Sequence, residues 1–430
     1  MSKPRVFIGF GETAGYCAGL KKGFDEVGVE SVSFMVNQSV FQYDDHGEGS
    51  LFRAMRKVVE TRDRLGAERK PVQRFFVSIW QNIIAMRVFC WALLNFDAFV
   101  IQGRTSFADL FRLPIKPRFL DLPILRLFRK RIIYVFHGTD SRPAYVNGAQ
   151  GTRKLTVVQL AKYVRKQHRD LRKIEKYASV ILHYPLNAQL HAKKIVSHEF
   201  VGRPVSVPNT AVTPSESEVL IAHAPSDPLG KGTAIIEAAV QNIARKGHAV
   251  RLIRPADKSN AAVKQALAQC DFVIDQVYYD VGISYVATEA AFLGKPTVIG
   301  TNAKAELLKV TPTELVAPTI LCEPEELERT IERLVSDKKL RVACGDKARA
   351  FVEKHYGPRR VAENYLKLIS GAIPKEWIFD SNSIDYVYGY GYSVNDVRER
   401  VRSLVQQCGP SALCLDDKPA MKAKFLKLAE

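Results

Sequence analysis

The chain has no cysteine pair at C-x-x-C spacing and no dense cysteine cluster. Its seven cysteines fall at positions 17, 90, 270, 322, 344, 408 and 414. That scatter excludes a disulfide scaffold or a zinc site of ordinary spacing and predicts reduced thiols in a cytosolic protein. There is no long internal repeat and no acidic low-complexity tract. Met1-Ser2-Lys3-Pro4 runs straight into the strand-like Val6-Phe7-Ile8-Gly9-Phe10, so no signal peptide is expected. Acidic residues are scarce in one half only. Residues 1–200 hold 33 lysines and arginines against 17 carboxylates, a net +16, while residues 201–430 hold 30 against 28, a net +2. The basic half implies an acidic partner surface, a membrane or a nucleic acid.

With 430 residues, two domains and an extension are expected. Apolar runs at Arg5–Phe10, Val29–Val36, Phe96–Gly103, Arg131–Gly138 and Ser179–His183 alternate with helical stretches such as Ala14–Val27. This alternation predicts a parallel sheet covered by helices. Prolines at 204, 208 and 214 mark a linker at 206–214 after a first domain of residues 1–205. A second series, Val219–Ala222, Val250–Ile253, Phe272–Asp275, Pro296–Ile299 and Thr319–Cys322, predicts a second α/β domain over 215–358. Residues 359–373 read as a helix crossing back to the first domain. Residues 374–430 read as a mostly helical extension that begins with the tyrosine alternation Tyr386-Val387-Tyr388-Gly389-Tyr390-Gly391-Tyr392. Two such domains facing across a cleft bind ligands at the carboxyl ends of their strands.

Two segments carry the chemistry. His223-Ala224-Pro225-Ser226-Asp227-Pro228-Leu229-Gly230-Lys231-Gly232-Thr233 and Asp280–Pro296 each read as a strand end, a small-residue loop and a helix start. Lys231 and free backbone N–H groups suit phosphates, and Glu289 on the second helix suits a ribose, so together they describe a pocket for a nucleoside diphosphate.

Phe75–Phe96 is apolar enough to raise the question of a membrane span, but Gln81, Asn82 and Arg87 lie near its middle. A central arginine costs about 2.5–3.5 kcal/mol on insertion scales. The stretch therefore reads as a helix packed in the first domain or as a partly exposed membrane-docking face. Phe111–Arg131 mixes Leu113, Ile115, Phe119, Leu120, Leu122, Ile124, Leu125, Leu127 and Phe128 with Arg112, Lys116, Arg118, Arg126, Arg129, Lys130 and Arg131. It suits an anionic leaflet, or simply a prolyl loop and short helix before the next strand.

The segments His223–Thr233, Asp275–Pro296 and His137-Gly138-Thr139-Asp140-Ser141-Arg142 resemble glycosyltransferases of the GT-B fold, and among them the family 4 (group 1) enzymes of bacterial surface polysaccharide assembly. The likeness covers roughly residues 1–370; the remainder resembles nothing nameable. It implies an α/β fold of two Rossmann-like domains, and a metal-independent, retaining transferase. The donor would be a UDP-, GDP-, CMP- or dTDP-sugar and the acceptor a lipid-linked glycan of O-antigen, capsule or lipopolysaccharide. The enzyme would be peripheral on the inner face of the cytoplasmic membrane. Carried over residue by residue, Lys231 matches the phosphate lysine, Glu289 the ribose carboxylate, and Gly282, Ile283 and Ser284 the turn whose amides approach the diphosphate. The arginine that often accompanies that lysine is missing; Ser226 and backbone N–H groups substitute, or Arg254 reaches in from the next strand end, and Gly232 is counted with Lys231 among the donor-binding residues. Where many members have an acid seven residues before the ribose glutamate, this chain has Val281, with Asp280 one residue away. In the first domain Gly11, Glu12, Thr13 and Gly15 match the small-residue loop at the cleft. His137 matches a histidine near the donor sugar, and Asp140, Arg104 and Arg142 lie just beyond strand ends, the arginines being candidates for an acceptor phosphate. No Asp-x-Asp metal motif is present, and no cofactor is expected.

Three readings compete: a transferase, a nucleotide-sugar 2-epimerase on a similar scaffold, and a non-catalytic scaffold using residues 374–430 to dock a partner or a second copy. Nucleic-acid binding is disfavoured, because the basic residues interleave with long apolar runs and form no stacking platform.

Overall fold

The apolar runs build two parallel sheets. A computed structural model describes residues 3–35, 49–113, 118–205, 207, 217–257 and 259–430. Asp44, Asp45, Ile115, Lys116 and, apart from Val207, the expected linker lie outside the described residues. The first sheet contains β1 (Val6–Phe10), β2 (Ser31–Met35), β3 (Ala98–Gln102), β4 (Arg131–Val135), β5 (Val180–His183) and β6 (Ile195–Ser197). The second contains β7 (Val219–Ala222), β8 (Val250–Ile253), β9 (Phe272–Gln276), β10 (Thr297–Gly300) and β11 (Ile320–Cys322). A last strand, β12 (Ile378–Phe379), comes from the extension and pairs antiparallel with β6 at the edge of the first sheet. The orders are β2-β1-β3-β4-β5-β6-β12 and β8-β7-β9-β10-β11. Each sheet reverses direction at its first strand, so the topological switch points lie between β1 and β3 and between β7 and β9.

Strands β1 and β3 are buried throughout, as continuous apolar runs covered on both faces must be. Residues of opposite parity feed opposite layers. Phe7, Phe34 and Phe99 pack under the helices Ser50–Ala67 and Pro71–Asn95. Val6, Ile8 and Val100 pack under the helices Tyr16–Glu26 and Pro358–Ser370. The helix Pro358–Ser370 thus lies on the first domain, with the Tyr365 hydroxyl 2.6 Å from that of Tyr16.

Two Rossmann-like α/β domains therefore flank a cleft, followed by a mostly helical extension, which is the GT-B architecture. The extension folds onto its own chain. Its helix Val394–Cys408 buries Val397, Val401 and Leu404, and the helix Pro419–Ala429 buries Met421 and Phe425. The Phe425 ring sits 5.2 Å from Tyr145 of the first domain.

Of Pro71–Asn95, one face (Ile84, Ala85, Val88, Phe89, Ala92, Leu93) is core. The other leaves Val72, Phe75, Phe76, Ile79, Trp80, Ile83, Met86 and Leu94 exposed. By length and hydropathy this is the one helix among the described residues capable of crossing a membrane, and its buried face places it in the first domain. Part of Phe111–Arg131 forms the short helix Asp121–Leu127, with Leu122 and Leu125 buried and Leu120, Ile124, Leu127 and Phe128 exposed.

Candidate active site

A cavity of about 900 Å³ lies where the carboxyl ends of the two sheets face each other. Loops following β1, β4, β7, β8 and β9 line it, as expected for switch points.

The loop after β7 turns into the helix Thr233–Arg245 through Gly232, at φ 73°. A side chain there would be strained, and its Cβ would lie 2.6 Å from Val277 Cγ2. This turn brings Ser226 and Lys231 to the cavity wall, while Gly232 itself stays behind it. Lys231 is 8% exposed, and its Nζ donates to Asp275 Oδ1 at 2.6 Å. The expected phosphate cation is thus already paired with an acid at the end of β9. His223 at the loop start is structural. Its Nδ1 lies 2.8 Å from the Ile274 carbonyl and its Nε2 2.8 Å from the Thr233 hydroxyl. Burial pushes it down to about 4, so it stays neutral. Arg254 sits at the rim in an ion pair with Glu237.

After β9 the chain runs to Ser284, which caps the helix Tyr285–Phe292 by accepting from the Ala287 amide at 3.0 Å. Ser284, Tyr285 and Val286 line the cavity, so the helix begins at its wall. Glu289, one turn further on, also lines it and accepts a 3.0 Å hydrogen bond from Asn260 Nδ2. Burial raises the Glu289 carboxyl above its ordinary range, although the bond from Asn260 works the other way. Gly282 and Ile283 do not line the cavity. The Ile283 side chain packs inward, and its carbonyl accepts from Arg203 Nη2 at 2.8 Å.

Asp280 stands apart from the cavity. It is fully buried and bound through two hydrogen bonds by Arg142 of the first domain, one of them Nε to Oδ2 at 2.6 Å. Arg142 lines the cavity, but its guanidinium faces this carboxylate. The two residues, expected on opposite sides of the site, form a salt bridge across the cleft.

On the first-domain side Gly11, Glu12 and Thr13 reach the cavity; Gly15 does not. Gly15 instead begins the helix Tyr16–Glu26 at φ 79°, and Glu12 accepts from the Cys17 and Ala18 amides of that helix. His137 ends the β4 segment. The carboxylate of Asp140 accepts its backbone N–H at 3.1 Å, closing the turn. Burial, aided by the Arg203 charge, pushes the His137 ring down to about 3. Its Nδ1 is 3.4 Å from the Tyr285 hydroxyl, and its buried Nε2 has no hydrogen-bond partner among the described residues. A second cavity of about 590 Å³ adjoins the first and shares Thr13, His137 and Thr139 with it. Arg104, Arg118, Asp140 and Lys166 line this annex. Arg104 is held there by bonds to the Asp140 carbonyl at 2.7 Å and the Tyr163 hydroxyl at 2.8 Å, and by Asp170 at 3.2 Å.

Three further features were not expected. Tyr390 of the extension lines the main cavity, its ring 5.5 Å from the Arg142 guanidinium. The Gly148 amide donates to the Tyr390 carbonyl at 2.6 Å, and the Gly391 amide donates to the Tyr278 carbonyl at 2.9 Å, so the segment is stitched to both domains. Arg203, 2% exposed, donates to the Tyr184 and Tyr356 hydroxyls and lies 5.3–5.7 Å from the rings of Tyr184, Tyr285 and Tyr356. Asp275 is the partner of Lys231. The tyrosine alternation and an acid at a strand end were visible signals for Tyr390 and Asp275. Nothing local marked Arg203.

Among the described residues no group of three or more His, Cys, Asp or Glu side chains is placed to hold a metal ion. Asp416 and Asp417 form surface pairs with Lys422 and Arg172.

No protein-family model matches the chain, and no curated protein matches it. Solved structures with a loose likeness include HepE of Anabaena in complex with UDP-glucose, 13% identical over 86% of this chain and 100% of that one, at a TM-score of 0.49. Another is the glycosyltransferase SnogD of Streptomyces nogalater, 15% identical over 85% of this chain and 100% of that one, at a TM-score of 0.43.

Proposed function

We propose that the protein is a glycosyltransferase that takes a nucleotide-sugar donor in the main cavity. The observation that carries this is the set of groups converging there. They comprise a buried lysine, the first residues of the helix Tyr285–Phe292, and a buried carboxylate one turn along that helix. Glu289, kept in place by Asn260, accepts from the ribose hydroxyls. Lys231 and the helix amides meet the diphosphate, with Lys231 shared between it and Asp275. As the bond from the sugar's anomeric carbon to the diphosphate oxygen breaks, its electron pair goes to that oxygen. The growing charge is stabilised by groups already oriented. The acceptor hydroxyl oxygen forms the new bond to the same carbon and gives its proton to the departing diphosphate oxygen on that face. His137, neutral and with a partnerless Nε2 where the two cavities meet, hydrogen-bonds a sugar hydroxyl. The Tyr390 phenol closes the same chamber.

The annex favours transfer over 2-epimerisation, because an epimerase has no second substrate to seat. Its basic lining suits an anionic acceptor. The basic first half and the exposed face of Pro71–Asn95 support an acceptor that is lipid-linked and met at the inner surface of the cytoplasmic membrane. A surface polysaccharide such as O-antigen, capsule or lipopolysaccharide is the proposed product. Retention is the proposed outcome, and no divalent ion is required.

The test is nucleotide release from UDP-, GDP-, CMP- and dTDP-sugars with membrane extract as acceptor. The wild type is expected to turn over one of them with or without EDTA, and Lys231→Ala and Glu289→Ala to lose about 100-fold or more, the scale of removing one group that stabilises developing charge. Equal turnover in both variants refutes the site, and loss of turnover on EDTA treatment refutes metal independence. Conversion of a nucleotide sugar without acceptor makes the protein an epimerase.

A further inference from the structure

A second built feature lies away from the cleft. A cavity of about 600 Å³ opens between the helices Ser50–Ala67 and Pro71–Asn95 and is lined by Arg62, Pro71, Arg74, Phe75, Ser78 and Arg112. Three guanidinium groups thus share one chamber. The polar residues that interrupt the apolar helix help to put two of them there. Gln81, 1% exposed, accepts from Arg62 Nη1 at 2.8 Å and donates to the Leu110 carbonyl at 2.7 Å. Asn82 accepts the Arg112 amide at 2.6 Å and donates back to the Arg112 carbonyl at 3.3 Å. Arg62 is itself buried and bonded to Asp63. Neither Arg74 nor Arg112 has an ion-pair partner among the described residues. Burial, then the Arg62 charge, pulls Arg112 below its ordinary range, while the carboxylates of Asp63 and Asp109 act the other way.

The rim of this chamber is apolar and faces solvent. All six residues Pro71–Phe76 are exposed. Phe75 lines the chamber at 62% exposed, with Val72, Phe76, Ile79 and Trp80 exposed beside it. Arg62 lies buried, Arg112 half-buried and Arg74 exposed in the same run as Phe75, and cations set beside exposed hydrocarbon match one kind of ligand, a phosphate that carries acyl chains. A free anion has no use for the rim.

We propose that the Arg62–Arg74–Arg112 chamber holds the phosphate of an anionic membrane lipid and seats the first domain on the bilayer with Phe75, Phe76 and Trp80 in the headgroup layer. This rests on the membrane part of the functional reading and not on the reaction.

The test is sedimentation of the full chain with vesicles of phosphatidylcholine alone and of an equal mixture with phosphatidylglycerol. The double variant R74Q/R112Q is compared with R329Q/R333Q, which makes the same charge change on the second domain. Arg62 is left intact because its bond to Gln81 belongs to the core. Unfolding midpoints check that both variants fold. The wild type is expected to prefer the anionic vesicles. R74Q/R112Q is expected to lose about fivefold in affinity per arginine, roughly 25-fold in all, while R329Q/R333Q changes by less than about twofold. Wild type that binds neither vesicle, or both equally, overturns the membrane reading together with the chamber. Wild type that prefers anionic vesicles while R74Q/R112Q binds as it does, or no worse than R329Q/R333Q, overturns the chamber alone. If inorganic phosphate raises the unfolding midpoint of the wild type and not of R74Q/R112Q while vesicle binding is equal, the site belongs to free phosphate and the proposal falls. Turnover enters none of these outcomes.

Discussion

His137, His183, His198 and His223 are ordinary residues placed in an unusual number of buried, neutral positions. Burial leads in each case, pushing His137 to about 3 and His223 to about 4, with His183 and His198 well below 6.5. At these rings the folded state therefore binds fewer protons than the unfolded chain between the folded values and about 6.5. Stability is fully present above pH 6.5 and is lost as pH falls toward the folded values. Each such ring adds at most about 1.4 kcal/mol per pH unit to the slope. Denaturant unfolding at pH 7.5, 6.5 and 5.5 is expected to show little change over the first step and a steep loss over the second. A flat profile between 6.5 and 5.5 would mean the rings are protonated in the fold. Asp121, raised to about 6 by burial, works with the opposite sign between 3.8 and 6, and the carboxyls of Asp140, Glu199 and Glu289, also raised by burial, add to it, so these four groups lessen the acid slope.

Among the elements, the segment Tyr386–Tyr392 is the one whose sequence most directly reports its job. Alternating glycines let the backbone approach others closely enough to bond with both domains. A Cβ on Gly389 would lie 1.9 Å from the Val146 carbonyl oxygen. Gly389→Ala is expected to destabilise the protein by about 1–3 kcal/mol, the cost of overpacking a tight contact. Gly151→Ala, where nothing lies within 4 Å, serves as the neutral comparison. Equal unfolding midpoints in the two variants would show that the segment is not clamped. The helix Pro71–Asn95 reports less clearly. Its hydropathy is the same whether it spans, packs or docks, and only the burial of Gln81 and the bonds of Asn82 show how an apolar helix uses its polar residues.

The whole molecule is held closed by contacts between domains that carry the candidate ligand groups. Arg142 and Asp280 meet across the cleft, both almost wholly shielded from water. Removing one partner of such a pair leaves a buried charge without its counterion. Arg142→Ala and Asp280→Ala are each expected to lose about 3–5 kcal/mol in unfolding experiments, whereas Arg142→Met with Asp280→Leu recovers most of it. Losses under about 1 kcal/mol in both single variants would indicate a cleft open enough for water to solvate the pair.

The strand and helix pattern was readable from the sequence because parallel strands covered on both faces are continuous apolar runs. Strands β7 and β8 agree with their expected limits to the residue. Strands β6 and β12 were not readable, since three residues and two residues carry no periodicity. The order of loops along the chain also made Lys231, Glu289, Ser284 and His137 visible as candidates, because side chains at strand ends and helix starts share one edge of a sheet whatever the partner domain does. What only the tertiary structure decided is which charges meet. Asp280 faces Arg142, 138 residues away, Lys231 faces Asp275, and Tyr390 arrives from the C-terminal extension. Local pattern follows from the short-range periodicity of helix and strand. Ion pairs across a cleft depend on how two rigid sheets are docked, and no local run of residues records that.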